Sequence, residues 1–277
     1  MELNDAQLHR LQGVCLELVK ELDRVCRKNG IEYTLDGGTL LGAVRERGFL
    51  AWDDDADIAM TRDSYNRFFE ACKTDLDTKR FFLQEYRTDP EYPWGYSKLR
   101  MQGTREVQTG QEHLKFHDGI FIDLFIYDPV PDGYLSRRLH HFACYCIRKC
   151  QYSVVGKRNA KSAFMRAWYS LLDRIPKKAV FAALNRLVRK TAKLDSELSS
   201  HKTYPYPRKE CRFGLPWKCF REYTDLPFED GVFRCMKDYD TYLTMLYGDY
   251  MTPPPPSGRK HYPIGLIDFG EGPEKGG

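Results

Sequence analysis

At 277 residues with 42% hydrophobic and 14% aromatic content, the chain has apolar surface for one large domain, or a domain with a sizeable insertion, and is no disordered polymer. Its net charge of +4 hides an asymmetry: 134–202 holds 16 lysines and arginines against three acidic residues, inside an otherwise acidic protein. No stretch reaches the roughly 18 apolar residues of a membrane span. The start lacks a signal-peptide pattern, and the nine cysteines read as reduced thiols, so a cytoplasmic protein is expected.

In chain order, Leu8, Leu11, Val14, Leu18, Leu22 and Val25 recur at helical steps and predict a helix over 4–29, capped by Asn4 or Asp5 and ended by Gly30. A short strand over 31–35 then runs into Gly37-Gly38, and a helix over 39–47 opens from those glycines and stops at Gly48. A second strand is expected within 49–60, and Asp63 is expected to cap a helix reaching Cys72. Strands follow at 81–86, 96–101 and 119–127, closed by Pro129 and Pro131. The basic segment reads as helices broken near Pro176. Residues 204–216 are rich in proline and aromatics, a helix is expected over 236–246, and 270–277 reads as a loose tail. Cys211, Cys219 and Cys235 lack the close pairing of a zinc site. This pattern divides the chain into a catalytic core over 1–133, a basic helical insertion over 134–202, and a C-terminal part over 203–277 that completes the catalytic domain.

The chemistry concentrates in Asp36-Gly-Gly-Thr-Leu-Leu-Gly-Ala-Val-Arg45 and Trp52-Asp-Asp-Asp-Ala-Asp-Ile58. If the second run is a strand, Asp53, Asp55 and Asp57 share one face, and their carboxylates repel unless a cation joins them. Hard oxygen ligands suit Mg²⁺ or Mn²⁺. Asp123 stands alone in the apolar run Phe121-Ile-Asp-Leu-Phe-Ile126, where an unpaired charge is costly. Set beside Asp55 and Asp57, it completes a metal site of the kind that serves phosphoryl transfer. Gly37 and Gly38 admit a phosphate close to the backbone, and a helix opening at Thr39 aims free N–H groups at it.

These residues closely resemble the LicD family. The resemblance rests on Gly37-Gly-Thr-Leu-Leu-Gly-Ala-Val-Arg45, Gly48-Phe49 and Trp52-Asp-Asp-Asp-x-Asp-Ile58, and returns in Tyr239-Asp-Thr-Tyr-Leu243, Tyr247-Gly-Asp-Tyr-Met251 and the proline run before Arg259 and His261. Ala56 and Ala51 depart from the family's usual bulky aliphatic residue and proline, and 134–202 carries no matching motif. The family includes bacterial phosphorylcholine transferases and is related to fukutin and fukutin-related protein, which transfer ribitol phosphate. The resemblance implies an α/β (α+β) nucleotidyltransferase-like fold, a mixed sheet flanked by helices. It also implies transfer of a phospho-alcohol from a CDP-linked donor, here CDP-choline, to a hydroxyl of a glycan or glycolipid such as lipopolysaccharide or teichoic acid, with release of CMP.

On that reading Asp55, Asp57 and Asp123 are the catalytic and metal-binding carboxylates. Arg45, Lys98 and Arg259 join Gly37, Gly38 and Thr39 as phosphate contacts, and Trp52, Trp94, Tyr96 and Trp217 are candidates to hold the quaternary ammonium of choline. The basic segment, with its interleaved apolar residues, suits contact with an anionic membrane at its inner face. Nucleic acid is not an expected partner, since the basic segment has no stacking signature or zinc module. The alternatives are a nucleotidyltransferase attacking the α-phosphate of a nucleoside triphosphate, and a ribitol- or glycerol-phosphate transferase.

Overall fold

The computed structural model describes residues 3–203, 209–255 and 263–270. The chain opens with α1 (Asp5–Lys28), whose first turn is closed by a capping box between Asn4 and Gln7. Leu11, Leu18, Leu22 and Val25 form its buried stripe, and Gly30 takes the left-handed conformation just beyond its end. Next come β1 (Thr34–Leu35), α2 (Gly37–Arg45), β2 (Asp57–Thr61) and α3 (Arg62–Asp75). Thr61, not Asp63, caps α3: its side chain accepts from the Ser64 N–H, which leaves Asp63 inside the first turn.

Four strands follow: β3 (Phe81–Gln84), β4 (Ser97–Met101), β5 (Arg105–Gln108) and β6 (Phe121–Val130). Pro129 does not end β6, which continues past it to pair with a later strand. The basic segment folds as α4 (Tyr134–Asn159), α5 (Ala163–Leu172) and α6 (Lys177–Thr191), with Pro176 at the N-cap of α6. Then come β7 (Leu198–His201), β8 (Leu215–Pro216), a hairpin of β9 (Tyr223–Phe228) and β10 (Gly231–Met236), α7 (Tyr239–Tyr247) and β11 (Ile264–Asp268). Among the described residues no helix is long and apolar enough to cross a membrane.

The main sheet is mixed, in the order β1-β2-β6-β4-β3. Its axis is β6, which is almost wholly buried. β2 runs parallel along one edge of β6, while β4 pairs antiparallel with its first half and β7 with its last four residues. Helix α1 packs on β4 and β6, α3 packs on β2 and β6, and β10 packs on β1. A separate two-stranded sheet joins β5 to β11. The register sets the chemistry: Asp123 of β6 is the Cα partner of Asp57 on β2 and of Lys98 on β4.

Candidate active site

The start of α2 is built around Asp36. This N-cap residue is buried, and its carboxylate accepts from the Tyr242 hydroxyl and, at 3.3 Å, from the Tyr127 hydroxyl. Burial pushes Asp36 up to about 6 against these hydrogen bonds and that of the Gly37 N–H. Helix α7, through Tyr242, thereby fixes the opening of α2. Gly37 adopts a positive φ of 49°, and a Cβ there would lie 3.0 Å from Asp57 Oδ2 and 3.6 Å from the Tyr247 hydroxyl. A Cβ on Gly38 would lie 2.7 Å from Asp53 Oδ2. The glycines thus let two carboxylates close over the positive end of the helix.

Between α2 and β2 the chain is not extended, which corrects the expected alternation. β2 begins only at Asp57, so Asp53, Asp54 and Asp55 lie in the preceding loop, and the carboxylate oxygens they offer come within 4.8 Å of one another. Asp54 therefore joins the cluster instead of facing away. Asp57 is fixed by its backbone: its N–H donates to Thr39 Oγ1 at 2.9 Å and its carbonyl accepts from the Asp36 N–H at 2.9 Å. Thr39 is buried and positions Asp57 from below.

Electrostatics tie the acidic groups into one site. Burial raises the Asp53 and Asp57 carboxyls well above their ordinary range. Asp55 and Asp54 add to the rise at Asp53, and Asp55 and Asp123 to that at Asp57. Asp53 Oδ2 is buried with no hydrogen-bond partner. An orphaned carboxylate oxygen among like charges is the donor set a hard divalent cation fits, so Mg²⁺ or Mn²⁺ is chemically matched to Asp53, Asp54 and Asp55. Across the sheet, Lys98 Nζ lies 2.5 Å from Asp123 Oδ1 and 3.2 Å from the centre of the Phe121 ring.

Comparison with known proteins agrees with this geometry. Residues 30–136 match the family model described as LicD/FKTN/FKRP, nucleotidyltransferase domain, a span that holds both the acidic cluster and Asp123. Residues 30–136 carry a LicD-family domain. It is similar to the lipopolysaccharide cholinephosphotransferase LicD of Haemophilus influenzae, 29% identical over 275 residues, covering 93% of this chain and 96% of that protein. Shorter likenesses join it to two uncharacterized rickettsial proteins. That of Rickettsia typhi is 38% identical over 72 residues, covering 24% of this chain and 23% of that protein. That of Rickettsia prowazekii is 43% identical over 76 residues, covering 21% and 29%.

Within this LicD domain the remaining expected residues scatter. Arg45 has a side chain 6% exposed, pairs with Glu46 at 2.8 Å, donates to the Tyr250 carbonyl at 3.0 Å and stands 5.8 Å from the Trp52 ring, with Nη2 unpartnered among the described residues. Arg259 lies outside the described residues, as does His261. The four aromatic candidates form no common cage. Trp94 and Tyr96 line one cavity, Trp52 sits by Arg45, and Trp217 packs on Phe220.

Three further residues of this LicD-family site were not read from the sequence. Asp54 completes the oxygen cluster. Tyr247 is 42% exposed, with its hydroxyl turned inward over Gly37; burial of that end, then Asp57, Asp36, Asp53 and Asp55, push its ionisation well up. Glu106 on β5 is buried and pushed up to about 8, chiefly by burial and further by Asp55 and Asp54, against the pull of Lys98 and Arg100.

Proposed function

We propose that the chain transfers phosphorylcholine from CDP-choline to a hydroxyl of a glycan or glycolipid precursor, releasing CMP. The observation that carries this reading is the pairing of Asp57 with Asp123 across β2 and β6, next to the clustered Asp53, Asp54 and Asp55 and a glycine-opened helix, in a chain with a LicD-family domain. The relative from H. influenzae, named a lipopolysaccharide cholinephosphotransferase, supports the substrate class. In the transfer the acceptor oxygen bonds to the phosphorus bearing choline, the bond from that phosphorus to the bridging oxygen breaks, and CMP leaves with the electron pair. A divalent cation bound by the aspartates would supply neutralisation of the charge on the transferred group. The chain's own part is positioning. The N–H groups at the start of α2 face the anionic end of the donor, and Lys98 brings positive charge to the Asp123 side. A carboxylate of the cluster, its proton affinity raised, takes the acceptor's proton.

A second donor is favoured by one observation, the absence of a common aromatic cage among Trp52, Trp94, Tyr96 and Trp217: CDP-ribitol or CDP-glycerol carries no ammonium that needs one. The deciding experiment follows CMP release with Mg²⁺ from CDP-choline, CDP-ribitol and CDP-glycerol, by wild type and Asp55→Asn, with a glycolipid extract as acceptor. CMP from one donor, lost in the variant, bears the proposal out. Release of pyrophosphate from a nucleoside triphosphate, with no CMP from any of the three, overturns it in favour of attack at the α-phosphate.

The same reading extends to where the acceptor is met. Helices α4 and α5 expose Leu135, Leu139, Phe142, Phe164, Trp168 and Leu171 at steps of three and four, among Arg137, Arg138, Lys161, Arg166 and Arg174. An apolar stripe set in positive charge suits the surface of an anionic bilayer, so the protein binds peripherally at the cytoplasmic face, where glycolipid precursors are reached.

A further inference from the structure

A cavity of about 460 Å³ opens between α4, the segment leading into β4 and the end of β5, within the range of small-ligand sites. Aromatic rings line it: Trp94 and Tyr152, with centroids 6.5 Å apart and planes 34° from parallel, and Tyr96. Its polar lining includes the side-chain amides of Gln108, Gln111, Gln151 and Asn159. Gln111 Nε2 donates to Gln108 Oε1 at 2.6 Å, which orients both groups, with Gln111 Oε1 as an acceptor and Gln108 Nε2 as a donor for a ligand. Gln151, on α4, is 5% exposed, lines the same cavity, and its Nε2 is buried with no hydrogen-bond partner. An unpaired buried amide costs free energy unless something supplies the missing acceptor.

The cavity also continues toward the reacting centre. Trp94, Tyr96, Gln108 and Gln111 are shared with a smaller cavity of about 60 Å³ that reaches Lys98 and Glu106. Lys98 is bonded to Asp123, so this passage arrives on the side of the carboxylates away from the start of α2. In phosphoryl transfer the attacking and leaving oxygens stand roughly in line, on opposite sides of the phosphorus. With the donor's anionic end at the start of α2, the attacking hydroxyl enters from the Asp123 side.

We infer that this cavity is the acceptor subsite and binds a pyranose unit of the glycan, with its apolar face on Trp94 and its hydroxyls on the amides of Gln151, Gln108 and Gln111. The inference rests on the transferase reading for its link to catalysis, but the binding itself is testable apart from it. Arg148 and Lys149 line the cavity as well, which sets it against the quaternary ammonium of choline and makes the insertion helix the element that selects the acceptor.

The test is saturation-transfer NMR on the full chain with methyl glycosides of glucose, galactose and N-acetylglucosamine, compared with CDP-choline. Transfer to the ring protons of at least one glycoside is expected, undisturbed by saturating CDP-choline. In Gln151→Leu, a substitution that removes an unsatisfied polar group and so leaves the thermal midpoint equal or higher, the apparent Kd for that glycoside should rise at least about fivefold. Trp94→Phe should retain binding better than Trp94→Ala. No transfer from any glycoside, transfer unchanged in Gln151→Leu, or displacement of the glycoside by CMP each overturns the inference, the last by assigning the cavity to the nucleotide. Glycoside binding without CMP release from any CDP-linked donor would leave the subsite standing and remove the transferase reading; CMP release without glycoside binding would do the reverse.

Discussion

Lys98 and Asp123 face each other twice over: they are Cα partners across β4 and β6, and their side chains meet at 2.5 Å with Lys98 only 6% and Asp123 15% exposed. The ammonium also rests on the Phe121 ring, and burial draws its proton affinity down while Asp123 holds it up. Asp123 in turn adjoins Asp57 and helps raise the proton affinity of Asp55. Lys98 is therefore the cation, among the described residues, bonded directly to a carboxylate of the proposed catalytic set. Replacing it should expose the repulsion the acidic residues exert on one another.

Lys98→Met keeps the length and apolar contacts of the stem while deleting the charge. Breaking a buried pair by removing one partner typically costs about 3–5 kcal/mol, and the lower end of that range is expected here. Urea denaturation of the metal-free protein measures it. An unchanged midpoint would mean that the pair contributes nothing to stability.

The acidic cluster makes a prediction about pH. Asp36 is raised to about 6 and Glu106 to about 8, and Asp53, Asp55 and Asp57 are raised as well. Unfolded carboxyls titrate near 4. Between these values the folded chain binds more protons than the unfolded one, so this group's contribution to stability falls as pH rises from about 4 toward 8. Metal-free wild type should lose more stability between pH 5 and pH 8 than Asp55→Asn, in which one raised carboxyl is gone, and Mn²⁺ should raise the midpoint more at pH 8. At a hundredfold over its Kd a ligand adds about 2.7 kcal/mol. Asp55→Asn, which removes one repelling charge, should raise the metal-free midpoint and shrink the Mn²⁺ effect. Equal Mn²⁺ shifts at both pH values and in the variant would count against a metal site here.

Much of this site was legible in the sequence because its signals are local. Asp123 stood out as a charge in an apolar run, and the strand carrying it lies beside Asp57 as expected. Helix α1 followed from one stripe of apolar residues and a capping signal. The strand over 31–35 shrank to Thr34–Leu35, and β2 starts at Asp57 and not earlier, because pairing with Asp36 and Thr39 decides where the ladder begins. Periodicity carries no information on such a long-range contact. Glu106 escaped notice for the same reason: its strand β5 pairs with β11, far along the chain, and it is buried. The β9–β10 hairpin did carry a local signal, Asp230-Gly231 between two strand-like runs, that was not read.

Two glycines of α2 separate stability from function. A Cβ on Gly42 would collide with the backbone carbonyl of Gly48, which cannot swing aside. Gly42→Ala should therefore cost about 1–3 kcal/mol. A Cβ on Gly38 would lie 2.7 Å from Asp53 Oδ2, the end of a side chain that can move. Alanine also favours the helix by up to about 1 kcal/mol. Gly38→Ala should leave the midpoint nearly unchanged while lowering CMP release from CDP-choline by roughly 100-fold, the effect of a 1 Å misplacement. Full activity in Gly38→Ala would show that Asp53 has no part in the reaction.

The apolar stripe on α4 and α5 yields the last prediction. Phe164 is 75% exposed and Phe142 63%, each with further exposed apolar side chains at helical spacing on its own helix. Burying such side chains contributes about 1.5–3 kcal/mol each, and each lysine or arginine near an anionic surface adds about 1 kcal/mol. The protein should float with vesicles containing phosphatidylserine and much less with phosphatidylcholine alone, and salt should weaken the binding. The double variant Phe164→Glu with Trp168→Glu should lose most of it, because it removes apolar area and adds repulsion at the point of contact. If the stripe instead covers a second copy of the chain, wild type sediments as a dimer, the variant sediments as a monomer, and neither floats with either vesicle. That outcome would remove the membrane reading while explaining the same exposed residues.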